Sequence, residues 1–218
     1  MARSSSPLAP RISAPDLPTH LEDGERPRRG GDHFQLAWSE WAQTTDASHA
    51  TFTECALRGV SVDHLDLTGA VLVDVDIAQL RATTITGRGS RLRRVRISGG
   101  RIGTLDLGGA DVDEVELRGI RIDYLALAGS RVTDLLVSGC TIGTLDLPQA
   151  TLSRIAFADS RADDVDTRAM RAKDVDLRGL EALSYLDPAA LRDATLSARQ
   201  VEHLAPALAA ALGIRVLG

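Results

Sequence analysis

Two residues in every five are apolar, at a fixed spacing, through the middle of this chain. Between residues 60 and 179 the positions ending in 0, 2, 5 and 7 are apolar in 42 of 48 cases, against 44% for the whole chain. The steps alternate two, three, two, three. On an α-helix, at about 100° per residue, such positions ring the whole cylinder and leave no single face. On one flat strand the three-residue step throws each successive pair to the opposite side. One path keeps every pair inside: a chain that turns a corner about every five residues. The pattern therefore predicts an all-β solenoid whose axis is lined by the paired apolar residues.

A second beat lies over the first. From Leu65 to Val175 every position ending in 5 is Leu, Ile or Val, whereas those ending in 0 are mostly small, as at Ala70, Ser90, Ala110 and Ser130. Alternating large and small residues fill a core, and the alternation implies an even number of sides per coil. Ile102-Gly103-Thr104-Leu105-Asp106-Leu107 recurs as Ile142 to Leu147, 40 residues later, which fits two coils of 20. Glycines keep the ten-residue beat at Gly59, Gly69, Gly89, Gly99 and Gly109, where tight corners are expected.

The segments Ala110-Asp111-Val112, Leu65-Asp66-Leu67, Leu105-Asp106-Leu107, Leu145-Asp146-Leu147 and Val175-Asp176-Leu177 resemble the Ala-(Asp/Asn)-Leu-x-x motif of the pentapeptide-repeat proteins. The resemblance covers about residues 50–182. It implies a right-handed quadrilateral β-helix with four pentads per coil, and six coils for residues 60–179. Bulky Leu or Val takes half the slots where the family usually has Ala, which implies wider faces or a different corner.

Four segments follow. Residues 1–31 are rich in Ser, Pro, Arg and Gly and read as a disordered tail. Residues 32–54 hold Phe34, Trp38, Trp41 and Phe52 and read as an N-terminal cap, or as an exposed partner-binding patch centred on Trp38 and Trp41. Residues 55–184 are the β-helix. Residues 185–218 are a C-terminal cap with a short α-helix at about 198–212, opened by the capping box Ser197-Ala198-Arg199-Gln200 and stopped at Gly213. Val201, Leu204, Leu208, Ala211 and Leu212 form its apolar stripe. Pro206 kinks or restarts the helix, and Ile214 to Leu217 is a candidate last strand. A leftover helical face is a candidate homodimer contact, as in some members of the resembled family.

Cys55 and Cys140 fall in inward slots about four coils apart, too far for a disulfide, so both are expected as free buried thiols. With no signal-peptide segment and no long apolar run, the expectation is a cytoplasmic protein with no membrane contact.

The net charge is −5, yet residues 55–182 carry 17 basic and 19 acidic side chains, so the rod is nearly balanced. Asp66, Asp106, Asp146 and Asp166 form one outward column and Arg81, Arg101, Arg121 and Arg161 another; the aspartates suit backbone hydrogen bonds at turns. Arg88, Arg91, Arg93, Arg94, Arg96 and Arg101 crowd together with no acid between them, beside a weakened repeat at Ala82 and Gly87. They are candidate contacts for an anionic partner, unless they radiate from different sides and pair with acids on neighbouring coils.

No histidine has metal-ligand spacing, no phosphate loop is present, and no Ser or Cys nucleophile has a base in a recognised motif. His64, between Asp63 and Asp66, reads as a solvated corner residue. No catalytic, cofactor or metal site is expected, and the chain reads as a non-catalytic scaffold for a protein partner. The alternative implied by the resemblance is a DNA-mimicking gyrase-binding protein of the quinolone-resistance type. Mimicry needs a strongly acidic rod, which this is not. Direct nucleic-acid binding is not expected, because exposed stacking aromatics are lacking.

Overall fold

Twenty residues carry the chain once around. In the computed structural model, which describes residues 6–215, Leu105 lies beside Leu125, Leu125 beside Leu145, and Leu145 beside Val165, all in parallel register. The same offset holds from Thr44, beside His64, to Ser184, beside Asp164. It falls to nineteen at both ends, where Asp32 lies beside Thr51 and Val175 beside Ala194. The result is a parallel β-solenoid of about eight coils with one C-terminal helix. The rise is about 4.8 Å per coil, the spacing of hydrogen-bonded strands.

The inward slots are the ones the period marks. Between residues 60 and 179 all are buried except Leu67, Gly100 and Ala172, which are half-buried. The polar exceptions satisfy themselves on the backbone: the Ser90 and Ser130 hydroxyls each donate to the carbonyl three residues back, at 2.6 Å. The Thr167 hydroxyl donates to the Leu186 carbonyl at 2.7 Å. Gly100 is required by space. At φ +89°, a Cβ there would stand 2.1 Å from the Leu80 carbonyl oxygen.

The corners are not alike. At Leu67–Ala70, Leu107–Ala110 and Leu127–Ser130 the last N–H donates to the first carbonyl, closing a turn with a positive-φ glycine third. Where an aspartate precedes such a turn it braces it; Ala126, before Leu127–Ser130, does not. Asp66 accepts the Thr68 N–H at 2.8 Å, Asp106 the Gly108 N–H at 3.0 Å, and Asp166 the Arg168 N–H at 3.1 Å. Asp146 cannot do this, because Pro148 has no N–H; it accepts the Tyr124 hydroxyl at 2.9 Å instead.

The weakened repeat at Ala82 and Gly87 does not loosen the ladder. Val71–Thr86 and Arg91–Asp106 are each sixteen-residue strands that pair from end to end.

Both ends are covered. His33, Trp38, Trp41 and Phe52 pack ring against ring inside the first coil, and Trp38 Nε1 donates to the Glu25 carbonyl at 2.8 Å. At the other end a single helix, α1 (Ala198–Ala211), includes Pro206 without restarting there. Its capping box forms as the sequence reads: Gln200 N–H donates to Ser197 Oγ and Ser197 N–H to Gln200 Oε1. The Gln200 amide also donates to the Leu177 and Leu180 carbonyls at 2.7 and 2.8 Å, pinning α1 to the last coil. Gly213, at φ +74°, donates to Ala210 and Ile214 to Ala209, a Schellman stop. Only Leu204 of the expected stripe is fully buried, with Leu208 packed beside it; Val201 and Leu212 are exposed. Ile214 and Arg215 form no strand, and the rest of the expected final strand lies outside the described residues.

Residues 6–31 differ from the expected disordered tail. They run extended along the outside of the rod, and Glu22–Asp23 pairs with Leu36–Ala37 as a short strand. Composition alone marks this segment as unable to build a core of its own. The rod supplies the hydrogen-bond acceptors that order it.

Candidate partner-binding surface

Six arginines close in sequence are not one patch in space. A coil of twenty residues distributes Arg88, Arg91, Arg93, Arg94, Arg96 and Arg101 around the perimeter. Four of them meet an acid near one coil away: Arg88 with Asp106, Arg94 with Asp74, Arg96 with Glu116, and Arg101 with Asp123. Arg91 and Arg93 are exposed, with Asp111 and Asp113 beside them in register. Trp38 and Trp41 are 5% and 8% exposed and belong to the core, so they present no open aromatic patch. The Arg81, Arg101, Arg121 and Arg161 column is exposed as expected, and Asp123 bridges two of its members at 3.0 and 3.2 Å.

The sequence reading overlooks another column. Glu54, Asp74, Arg94, Glu114, Asp134, Arg154 and Asp174 recur every twenty residues, all charged and all at φ between 50° and 55°. Holding a non-glycine residue there costs about 1 kcal/mol each. Within the column, Arg94 Nε donates to Asp74 Oδ1 at 2.6 Å. Arg154 grips Asp134 with two parallel bonds of 2.7 Å. Both aspartates are 6% exposed, and the guanidiniums hold both carboxyls below the usual carboxylate range. Asp113, flanking the column, is shifted upward, by burial first and then by Glu114 and Asp134. The signal was present in the sequence: seven charged residues in one slot of seven successive coils, where a corner would favour glycine.

The N-terminal strap lies on this column. Asp174 Oδ1 accepts the Leu8 N–H at 3.1 Å, Asp134 Oδ1 the Arg11 N–H at 2.9 Å, and Asp74 Oδ1 the Asp16 N–H at 3.0 Å. Pro7, Pro10, Ile12, Pro15, Leu17 and Pro18 are half-buried against the rod.

His64 is exposed at its corner, and Cys55 and Cys140 are free, buried thiols pushed upward by burial. Among the described residues no group of three His, Cys, Asp or Glu side chains could hold a metal ion, and no helix is long and apolar enough to cross a membrane. A hollow of about 320 Å³ between the last coil and α1 is lined by Glu181, Tyr185, Arg199 and His203, with the Tyr185 hydroxyl pushed up to about 12 by burial.

Fold and surface together define a repeat solenoid with a buried apolar core and ordered outward columns. Coils of four five-residue sides are consistent with the pentapeptide-repeat family. No family model and no curated protein matches the chain. Among solved structures it is similar to the plasmid-mediated fluoroquinolone resistance protein QnrB1, at 16% identity over 89% of this chain and 95% of that one, with a TM-score of 0.36. It is also similar to HetL, a pentapeptide-repeat protein involved in heterocyst differentiation regulation in the cyanobacterium Nostoc, at 16% identity over 78% and 89%, with a TM-score of 0.30. Likenesses of this strength carry no residue-level correspondence.

Proposed function

We propose that this chain is a non-catalytic scaffold, a rigid rod that presents columns of side chains to a protein partner. One observation carries the reading: outward residues stack at a fixed spacing on a core of buried apolar side chains whose voids are only about 40 and 10 Å³, so recognition falls to the surface. The arginines paired with Asp74, Asp106, Glu116 and Asp134 neutralise acids that a DNA mimic would need exposed. The DNA-mimic alternative is therefore the weaker one, and purified protein is expected to leave gyrase supercoiling unchanged. At the C-terminal end Leu183, Leu186, Val201, Leu212 and Ile214 are exposed, a surface suited to a second copy of the chain.

The test is affinity capture from native lysate followed by cross-linking. The expected partner is cross-linked to outward slots and is lost when the exposed column Arg81, Arg101, Arg121 and Arg161 and the strap-bearing column are neutralised together. A partner retained by that variant, or turnover of a small molecule by the purified chain, would overturn the reading.

A further inference from the structure

The three strap donors share one sequence feature. Leu8 follows Pro7, Arg11 follows Pro10, and Asp16 follows Pro15. Between Leu8 and Asp16 the strap spans eight residues while its acceptors, Asp174 and Asp74, are five coils apart. Polyproline II rises about 3.1 Å per residue, or about 25 Å over eight residues. Five coils at about 4.8 Å rise about 24 Å. One three-residue turn of polyproline II thus matches two coils, as Leu8 to Arg11 matches Asp174 to Asp134. This helix makes no internal hydrogen bonds, so its N–H groups are free to donate, and its prolines restrict it before it binds.

The acceptors are built to receive it. Asp74 and Asp134 are each oriented by an arginine one coil away, and each gives Oδ1 to a strap N–H. We propose that the column from Asp74 to Asp174 is a recognition site for proline-rich segments in polyproline II form. Residues 7–18 fill it as a tethered ligand, and a proline-rich segment of a partner protein takes it by displacing them. The reading specifies the chemistry of the partner and rests on the scaffold function proposed above. The strap is held by three hydrogen bonds over residues 8–16 and by prolines and apolar side chains that are only half-buried, contacts that a proline-rich partner segment can reproduce.

The full chain carrying Leu8→Pro, Arg11→Pro and Asp16→Pro keeps a polyproline conformation and loses all three donors. A labelled peptide of residues 6–19 is titrated into it by fluorescence anisotropy, beside the same peptide N-methylated at those three residues. The native peptide is expected to bind the variant at least about tenfold more tightly than wild type, whose strap competes at high effective concentration. It is also expected to bind at least about tenfold more tightly than the N-methylated peptide, and to bind more weakly when Asp134→Ala, which removes the Oδ1 acceptor, is added. Equal binding of the two peptides, or no binding to the variant, overturns the proposal. So does a dimer that forms only when the strap donors are intact, which would assign the groove to a second copy. Hydrogen exchange on the wild-type chain is an independent reading: the Leu8, Arg11 and Asp16 amides should exchange more slowly than Ala9 and Ser13, and equal rates refute the docking. A lysate partner captured on other columns while the peptide fails leaves the scaffold reading standing and removes only this one.

Discussion

Removing Asp134 tests whether the charged column is structural machinery or surface ornament. Its carboxylate accepts two bonds from Arg154 at 2.7 Å and one from the Arg11 N–H at 2.9 Å, with the Asp134 side chain 6% and Arg154 24% exposed. A charge-assisted bond contributes a net ~1.5–3 kcal/mol, more than a neutral one. Partial exposure of Arg154 lets water replace part of what is lost, which draws the pair toward the lower end. The cycle Asp134→Ala, Arg154→Ala and the double variant is expected to give a coupling energy of about 1.5–2 kcal/mol by urea unfolding. Both residues have φ near +54°, and alanine keeps a Cβ in each, so the backbone cost cancels in the cycle. The pair Arg121 and Asp123, 59% and 44% exposed, is the control and should couple by less than about 0.5 kcal/mol. Equal coupling in the two cycles would refute the claim that the column is locked.

Three further outcomes follow from the same geometry. Gly100→Ala places a Cβ 2.1 Å from the Leu80 carbonyl at φ +89°, and is expected to destabilise by more than about 2 kcal/mol in thermal melts; a neutral effect would contradict the close coil contact. Leu125→Asp, at a site 1% exposed between Leu105 and Leu145, should abolish cooperative unfolding, whereas exposed Arg121→Ala changes stability by under about 1 kcal/mol; similar effects would refute the register. Asp74 and Asp134 have lowered pKa values, first because of the arginine hydrogen bonds, so their stabilisation is complete above the ordinary carboxylate value and disappears as pH falls through the lowered ones. The gap in urea midpoint between wild type and Asp134→Asn should therefore stay constant from neutral pH down to about pH 5 and close only in stronger acid; closure nearer neutrality would contradict the pairing.

The inward slots were legible because a solenoid core has a single strict demand, an apolar side chain at each corner-to-corner step. Leu105 and Leu145 meet it and fall where the period puts them. The capping box at Ser197 and the braces at Asp66 and Asp106 were legible because each is a local bond within three residues. The arginine cluster was misleading as a patch because neighbours in sequence point to different sides of a coil. Trp38 and Trp41 are core residues because the first coil has aromatic rings where later coils have aliphatic pairs. The strap was missed for a different reason. Pro7, Pro10, Pro15 and Pro18 carry no burial periodicity, and their order comes from acceptors more than fifty residues away in sequence. Pro206 was expected to kink or restart α1; the helix does not restart there, because it is an end helix held by Gln200 and Leu204, where one missing N–H is tolerated.

The most direct measurement is a distance along the rod. Arg81 and Arg161 are exposed, lie on one column and stand four coils apart through Arg101, Arg121 and Thr141. Spin labels at Arg81→Cys and Arg161→Cys, in a chain with Cys55→Ala and Cys140→Ala, should give one narrow pulsed-EPR distance near about 20 Å, four strand spacings. A broad distribution, or a separation well beyond about 35 Å, would contradict a coil of twenty residues stacked in register.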